Sequence, residues 1–172
     1  ELRVAVGDNS DDWSVARAAA PVAPAWKPLP EPEEQVLAFA AGGRVRIVEV
    51  DTGRHLGATP PGPTPREIWW ARDGHRLVTV ASSSIHVHGP RGRLLRVVPL
   101  PAGLEAGGSA VPRGGRRLAL IARHQGPTGA SELLVLRLDR DTPLRRLLSL
   151  PGPFEGLTWS IDGSLLVVGR PL

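Results

Sequence analysis

The chain has 172 residues with 21 Lys and Arg against 17 Asp and Glu, and this formal charge of +4 is too small to predict nucleic-acid binding. The pI of 11.1 overstates the charge, because without tyrosine or cysteine few groups titrate between neutral pH and the arginines. The absence of cysteine excludes disulfides and thiolate metal sites, and no apolar stretch approaches the ~18 residues of a membrane-spanning helix. The length predicts a single domain over residues 1–172.

Four stretches share one pattern, in which a short apolar segment is followed by a turn rich in Pro, Gly or Asp and then by a dense apolar run. In chain order they are PAWKPLPEPEEQVLAFA, IWWARDGHRLVTVAS, SAVPRGGRRLALIAR and LTWSIDGSLLVVG. The equivalent positions are Trp26, Trp70, Val111 and Trp159, which lie 44, 41 and 48 residues apart. A loose internal repeat of this length predicts one supersecondary unit per repeat.

Each repeat predicts four strands. Asp-Gly at 73–74 and 162–163 and Gly-Gly at 114–115 supply the positive φ that a tight hairpin needs. A second pair of β-rich segments follows, in VEVDTGRHLG, VHGPRGRLLRV and RLDRDTPLRRLL. The dense runs are apolar on both faces, which is typical of strands that lie between two neighbouring sheets.

The two ends of the sequence match opposite halves of a repeat. The last repeat has its first two strands only, whereas ELRVAVGDNSDDWSVARA matches a second half. We therefore expect Arg3–Val6 and Trp13–Ala16 to pair beside Leu165–Val168 and complete a fourth sheet, as circular sheets do to close their edge. Two other interpretations stay open: a fragment of a longer ring, or two chains that close a larger ring together.

Two segments resemble a known type of repeat. WARDGHRL at 70–77 and WSIDGSLL at 159–166 resemble the WD40-like, TolB-type β-propeller repeats of bacterial proteins, in which a tryptophan and Asp-Gly precede an apolar strand. VPRGGRRL is a weaker copy, and WKPLPEPEEQVL keeps only the tryptophan. The resemblance implies an all-β propeller of about four blades, each of four antiparallel strands. It implies no particular activity, because propellers of this kind serve many functions.

Two groups of side chains have metal-like spacing. His86 and His88 lie two apart on a predicted strand, so both rings point to the same face, but no third ligand lies nearby. GDNSDD at 7–12 resembles a calcium loop without the required Gly and the distal Glu. We interpret both as polar positions at turns, and we predict no metal site.

Two arginine groups, RGGRR at 113–117 and PLRRLL at 143–148, could bind an anion or a nucleic acid. No aromatic residue is interleaved among them, and Glu132, Asp139 and Asp141 lie close by in sequence. We interpret the groups as surface arginines balanced by these carboxylates. No Gly-x-Ser-x-Gly elbow, phosphate loop or dinucleotide fingerprint occurs either, so we predict no catalytic residue and no cofactor.

The tryptophans and one loop predict where contacts form. Trp26, Trp70 and Trp159 recur at equivalent positions, which predicts packing between blades. Trp13 and Trp69 fall outside that register, and an exposed one at a rim would be a contact site. The loop ARHQGPTGASE at 122–132 is the longest connection inside a repeat, and we interpret it as a tolerated surface insertion or, for a chain with a partner, as the place where that partner touches.

Together these observations favour a non-enzymatic interaction or scaffold module that binds a protein partner, with no nucleic acid and no cofactor. Two alternatives are the propeller portion of a larger hydrolase, with its catalytic residues outside this chain, and a propeller that binds a small ligand in its channel. Many relatives of the repeat are exported, so the resemblance implies an extracytoplasmic location, periplasmic or membrane-tethered. Monomer and dimer both stay open.

Overall fold

Short apolar runs separated by Gly, Pro and Asp turns form strands throughout the computed structural model of the protein. The structure describes residues 2–4, 13–16, 22–28, 35–126, 129–152, 154, 156–164 and 166–169. Within these residues the chain forms sixteen β-strands and no helix. The strands are β1 (Leu2–Val4), β2 (Trp13–Ala16), β3 (Ala25–Trp26), β4 (Val36–Ala41), β5 (Arg44–Glu49), β6 (His55–Ala58), β7 (Glu67–Trp70), β8 (Leu77–Val80), β9 (Ser84–His88), β10 (Leu94–Pro99), β11 (Leu104–Ala110), β12 (Arg117–His124), β13 (Ser131–Arg137), β14 (Arg145–Leu150), β15 (Gly156–Trp159) and β16 (Leu166–Gly169).

The strands pair in chain order. Three four-stranded antiparallel sheets follow one another: β3–β6 (blade 1), β7–β10 (blade 2) and β11–β14 (blade 3). Two hairpins flank them, β1–β2 (the N-terminal hairpin) and β15–β16 (the C-terminal hairpin). The four-stranded units expected from the repeats are thus confirmed.

The predicted hairpin turns have one geometry in blade 2, blade 3 and the C-terminal hairpin. Gly74, Gly115 and Gly163 adopt φ of 65°, 63° and 72°. Each glycine N–H donates to the carbonyl three residues earlier, at 2.9 Å, 2.8 Å and 2.9 Å. Where aspartate precedes the glycine, its Oδ1 accepts the backbone N–H two residues on: Asp73 from His75 and Asp162 from Ser164, both at 2.9 Å. This side-chain turn is the physical reason for Asp-Gly in the repeat.

The facing sides of neighbouring blades are apolar and pack against each other, and blade 1 has a further buried cluster on its other face. One core cluster joins Ala38 and Ile47 of blade 1 to Ile68 and Leu77 of blade 2. A larger cluster joins blade 2 to blade 3, with the side chains of β8 and β9 against those of β12 and β13. A sheet of this kind cannot bury both faces alone, so blade contacts supply the core.

Two of the repeat tryptophans, Trp70 of blade 2 and Trp159 of the C-terminal hairpin, each join their sheet to the one before it. The indole Nε1 of Trp70 donates to the carbonyl of Ala25 at 3.1 Å, and that of Trp159 donates to the carbonyl of Ala110 at 3.1 Å. The acceptors occupy equivalent positions, immediately before Trp26 and Val111. Packing between blades is therefore confirmed for Trp70 and Trp159.

Trp26 was predicted to pack in the same way, and this prediction is wrong. Its side chain is 54% exposed. The tryptophan contact needs the first strand of a preceding blade, and the element before blade 1 is the N-terminal hairpin, which matches the second half of a repeat. No described first strand is placed to receive the Trp26 indole.

The expected fourth sheet also differs from the structure. Among the described strands, β1 pairs with β2 and β15 pairs with β16, in two separate sheets. The strand expected at Arg3–Val6 is Leu2–Val4, and residues 5 and 6 lie outside the described residues.

The turn glycines also make close contacts between blades. A Cβ on Gly115 would lie under 3.0 Å from the backbone nitrogen of Arg72, in the corresponding turn of blade 2. A Cβ on Gly163 would lie 3.2 Å from Cβ of Pro112, one blade further on. The turns therefore stack on one another, and at Gly115 glycine is required for space as well as for φ, whereas at Gly163 the contact is tight and the positive φ is the stronger constraint.

We expect Gly115→Ala to lower the free energy of unfolding by roughly 3 kcal/mol, because the new methyl group meets backbone as well as an unfavourable φ. Gly43→Ala is the matched control: φ is 72° and nothing lies within 4 Å of its Cβ, so we expect a loss of about 1 kcal/mol. Urea denaturation measures both. Equal losses would show that the contact between turns contributes nothing.

Candidate interaction surface

The outer strand of blade 2 exposes apolar side chains to solvent. Leu94, Leu95 and Val97 of β10 are between 39% and 49% exposed. The pairing of β10 with β9 shifts between Leu94 and Arg96, so Leu95 is an extra residue on the outer strand. β10 is the last strand of its sheet, and its outer backbone edge has no partner strand among the described residues.

The other face of β10 is fixed to blade 3. Arg96 donates to the carbonyls of Arg140 at 2.9 Å and of Thr142, and its Nε lies 3.2 Å from Oδ1 of Asp141. Val98 is buried in the core between blades 2 and 3. The apolar patch formed by Leu94, Leu95 and Val97, called here the β10 patch, is thus presented on a strand that is held in place. The turn before it carries the exposed Arg91 and Arg93.

Sequence reasoning did not single out the β10 patch. The segment LLRVVP was predicted only as an outer strand that mixes charge with leucine. The mixture of arginine and leucine in this segment was the signal for an exposed outer strand, because a strand buried between two sheets would not carry an arginine beside its leucines. Which leucines stay exposed depends on the register shift at Leu95, and the sequence pattern does not show that shift.

Trp69 is not the exposed rim tryptophan considered from the sequence. It is half-buried against the core between blades 2 and 3, on the same side as Val111. Its Nε1 donates to Oγ of Ser109 at 2.9 Å and to Oε2 of Glu67 at 3.1 Å. At this contact the indole comes from blade 2, because blade 3 has Val111 where the repeat has tryptophan. The side chain of Trp13 lies outside the described residues.

A groove of about 430 Å³ lies between the edges of the first strands β3 and β7, where the exposed Trp26 is. Its polar side chains already have partners: Arg66 donates to the carbonyl of Ala106 at 2.8 Å, and Glu67 accepts from Ser109 and Trp69. The groove therefore presents aromatic surface more than free polar groups, and it offers little to orient a small polar ligand.

His86 and His88 share one face of β9, as predicted. Their ring centroids lie 6.1 Å apart, and they border a cavity of about 20 Å³ between blades 1 and 2, the size of one water molecule. His88 is buried, with Nε2 3.3 Å from Oγ1 of Thr79. Among the described residues, no three His, Asp or Glu side chains are grouped to hold a metal ion.

The two histidines have lowered pKa values. Burial, and then the neighbouring His86, lowers the pKa of His88 from 6.5 to about 4, while the backbone of Gly92 opposes the shift. Burial also lowers the pKa of His86. Arg44 borders the same cavity. The pair is therefore a neutral part of the contact between blades at neutral pH.

The arginine groups are partly balanced by the nearby carboxylates. Arg146 lies 3.4 Å from Oε1 of Glu132, whereas the other two carboxylates bind arginines outside the groups: Asp139 binds Arg137 at 2.8 Å and Asp141 binds Arg96. Arg137 lowers the pKa of Asp139 to about 2, through hydrogen bonding first. Two members of the groups, Arg117 and Arg145, come together on one face of blade 3.

The predicted partner loop at 122–132 is shorter than expected. Residues 122–124 belong to β12 and residues 131 and 132 to β13, with Arg123 opposite Ser131. The long spacing of this repeat comes largely from longer strands, because RLALIARH continues its ladder to His124. The acidic segment GDNSDD at 7–12 lies outside the described residues.

No protein-family model matches the sequence, and no curated protein matches it. Solved structures do match. The hydrazine synthase of Kuenenia stuttgartiensis has a TM-score of 0.63 and 15% identity, over 84% of this chain and 42% of that one. A chain of the mitotic checkpoint complex has a TM-score of 0.59 and 20% identity, over 85% and 42%. The β-propeller domain of Cps50 (Swd1) from Myceliophteria thermophila has a TM-score of 0.57 and 11% identity, over 80% and 45%.

The chain has a β-propeller fold. The expected all-β class is confirmed, and about four blades are consistent with three full sheets and two hairpins. The propeller spans less than half the length of each of these structures. The described residues hold no helix long and apolar enough to cross a bilayer.

The histidine pair predicts a pH dependence of stability. The folded pKa of His88 is about 4 and its usual value is 6.5, so the unfolded chain binds more protons between these pH values. We expect the free energy of unfolding to be steady above pH 6.5 and to fall as pH drops from 6.5 toward 4. Urea denaturation at a series of pH values measures this.

His88→Gln should make that fall shallower, whereas His75→Gln, in an exposed turn, should leave it unchanged. A His88→Gln protein with the full pH dependence of the unaltered chain would contradict the assignment.

Proposed function

We propose that this propeller is a non-enzymatic interaction or scaffold module that binds a protein partner through the β10 patch. The observation that carries the proposal is an edge strand with three half-exposed apolar side chains. Arg96 and Val98, on the opposite face of that strand, fix it to blade 3. Exposed edge strands are templates for pairing with another chain. An apolar patch on a fixed strand suits a binding surface.

The proposed partner segment is an extended strand that adds to β10. Its backbone would pair with the free edge, and apolar residues on it would cover Leu95 and Val97. Carboxylates at one end would face Arg91 and Arg93, which are exposed in the adjoining turn. This predicts a partner segment with apolar residues flanked by Asp or Glu.

The similar structures support an interaction role in general terms. One of them is a chain of the mitotic checkpoint complex. Identity of 20% or less carries over the fold and not the partner. We further propose that the chain has no catalytic activity of its own. A measurable turnover that is abolished by changing one polar residue would overturn that part.

We also propose that the repeats are TolB-type and that the protein works outside the bacterial cytoplasm, periplasmic or membrane-tethered. The support is the resemblance of WARDGHRL and WSIDGSLL to that repeat. Fractionation of cells that express the full gene tests the location, and recovery in the cytoplasm would contradict it.

Selection of displayed ten-residue peptides on the purified chain tests the proposed function. We expect selected peptides to carry apolar residues flanked by carboxylates. Leu95→Glu with Val97→Glu should weaken their binding at least tenfold, because the pair removes apolar contact and repels the carboxylates. Fluorescence polarisation with labelled peptides measures the dissociation constants.

Ile161→Glu is the matched control, since Ile161 is also an exposed apolar residue but lies in the turn of the C-terminal hairpin. It should leave peptide binding unchanged. Selected peptides that bind the β10 variant as tightly as the unaltered chain would refute the role of the β10 patch.

A further inference from the structure

The connection between blades 1 and 2 is rich in proline. It runs from residue 59 to residue 66 with the sequence TPPGPTPR, between β6 and β7. Residues 100–103 are enough to join blade 2 to blade 3, so the first connection is longer than two successive blades require. Extra residues between repeats collect on one face of a repeat fold and often form its binding surface.

The sequence of residues 59–65, called here the proline segment, restricts the backbone to one conformation. Every residue of it either is proline, which holds φ at about −65°, or precedes proline, which disfavours the helical region. All of its peptide bonds are trans, and Gly62 does not adopt a positive φ. These restrictions together favour a polyproline II helix, which has three residues per turn.

Burial along the proline segment repeats every three residues. Thr59 and Pro65 are buried, and midway between them the N–H of Gly62 donates to the carbonyl of Gly43 at 3.4 Å. These three residues form one edge of the helix, and that edge faces the blades. The residues on the other two edges are exposed, Pro60 and Pro63 on one and Pro61 and Thr64 on the other.

Hydrogen bonds hold the proline segment in place at both ends. The N–H of Thr59 donates to the carbonyl of Val45 at 2.9 Å, and the Thr59 hydroxyl oxygen accepts from the Val45 N–H at 3.0 Å. Directly after the segment, the N–H of Arg66 donates to the carbonyl of Val80 at 2.7 Å. The segment is therefore preorganised, and a partner would lose little free energy in ordering it.

The backbone between these ends keeps its hydrogen-bonding capacity. The carbonyls of residues 60–64 accept no hydrogen bond from any other described residue. In a polyproline II helix such carbonyls point to solvent, since the helix makes no internal hydrogen bonds. Tryptophan and tyrosine suit this surface, because their rings pack against proline rings and their N–H and O–H groups donate to carbonyls.

We propose that the proline segment is a ligand that docks in the aromatic-lined groove of a partner domain, as polyproline II sequences do in SH3 and WW domains. The rings of Pro60, Pro61 and Pro63 would lie between aromatic side chains of the partner, whose indole or phenol groups would donate to the carbonyls. This interaction goes beyond the proposed function, because it uses neither the β10 patch nor an added strand.

Charge has little part in this recognition. Arg66, which follows the proline segment, donates to the carbonyl of Ala106 at 2.8 Å and lies 3.9 Å from the carboxylate of Glu105. Its guanidinium is thus already used within the chain, and residues 59–65 themselves carry no charge. Binding through this segment should therefore depend little on salt, because salt screens interactions between charges.

A panel of purified SH3 and WW domains tests the proposal. Each labelled domain is titrated with the 172-residue chain, and fluorescence polarisation measures the dissociation constant. We expect at least one domain to bind, and we expect a free peptide of ten prolines to compete with the chain for it. No binding by any domain, or binding that the proline peptide does not reduce, would overturn the proposal.

Proline variants locate the contact. Pro61→Ala with Pro63→Ala should weaken the binding at least tenfold, because this change removes two exposed rings and frees the backbone of the segment. Pro101→Ala with Pro143→Ala is the matched control, since both prolines are exposed but lie outside the segment, and it should leave the binding unchanged. Circular dichroism checks that both variants fold. Equal binding by the two variants would refute the assignment.

The proposed function is tested separately in the same experiments. Leu95→Glu with Val97→Glu should leave the SH3 or WW binding unchanged while it weakens the selected peptides, and Pro61→Ala with Pro63→Ala should do the reverse. Added salt should weaken the selected peptides, which carry carboxylates, and leave the domain binding unchanged. Loss of domain binding in the β10 variant, or strong salt dependence of that binding, would contradict recognition through the proline segment.

Discussion

Contact between sheets that are apolar on both faces is the constraint on which the rest of this structure depends. The central residues of strands such as β12 and β13 are apolar and buried on both faces, so their sheet must be covered from two directions. The clusters between blades 1 and 2 and between blades 2 and 3 provide that cover. Each blade thereby contributes to its neighbour's core, and an isolated repeat unit would leave its apolar faces exposed to water.

The polar groups of the molecule are largely used to fix these contacts. Indole nitrogens bind backbone carbonyls of the preceding blade, Arg96 binds the carbonyls of the β13–β14 turn, and Glu67 joins Ser109 to Trp69. Side chains held this way are poor candidates for chemistry, because their hydrogen bonds are already made. Recognition is therefore better sought at the outer strands, where apolar surface remains exposed.

Much of the fold could be predicted from the sequence, because its signals are local. Asp-Gly at 73–74 and 162–163 determined the turns, and the dense apolar runs determined the second strands. The exposure of Trp26 could not be predicted, since it depends on which sheet lies beside blade 1 and not on the residue itself. The β10 patch was missed for a similar reason: one extra residue in β10 decides which side chains face solvent. The local sequence pattern thus predicts strands and turns well, but it predicts poorly which sheets and side chains pack against them.

The exchange of tryptophans between blades 2 and 3 has a consequence for the order of the blades. At two contacts the indole belongs to the later blade, but where Val111 replaces tryptophan the indole of Trp69 comes from the earlier one. The surfaces that meet at one contact between blades therefore cannot replace those that meet at another. Shuffling the repeats would bring together two bulky rings at one junction and leave a void at another. The identity of the residue at each contact therefore fixes the order in which these similar blades can follow one another along the chain.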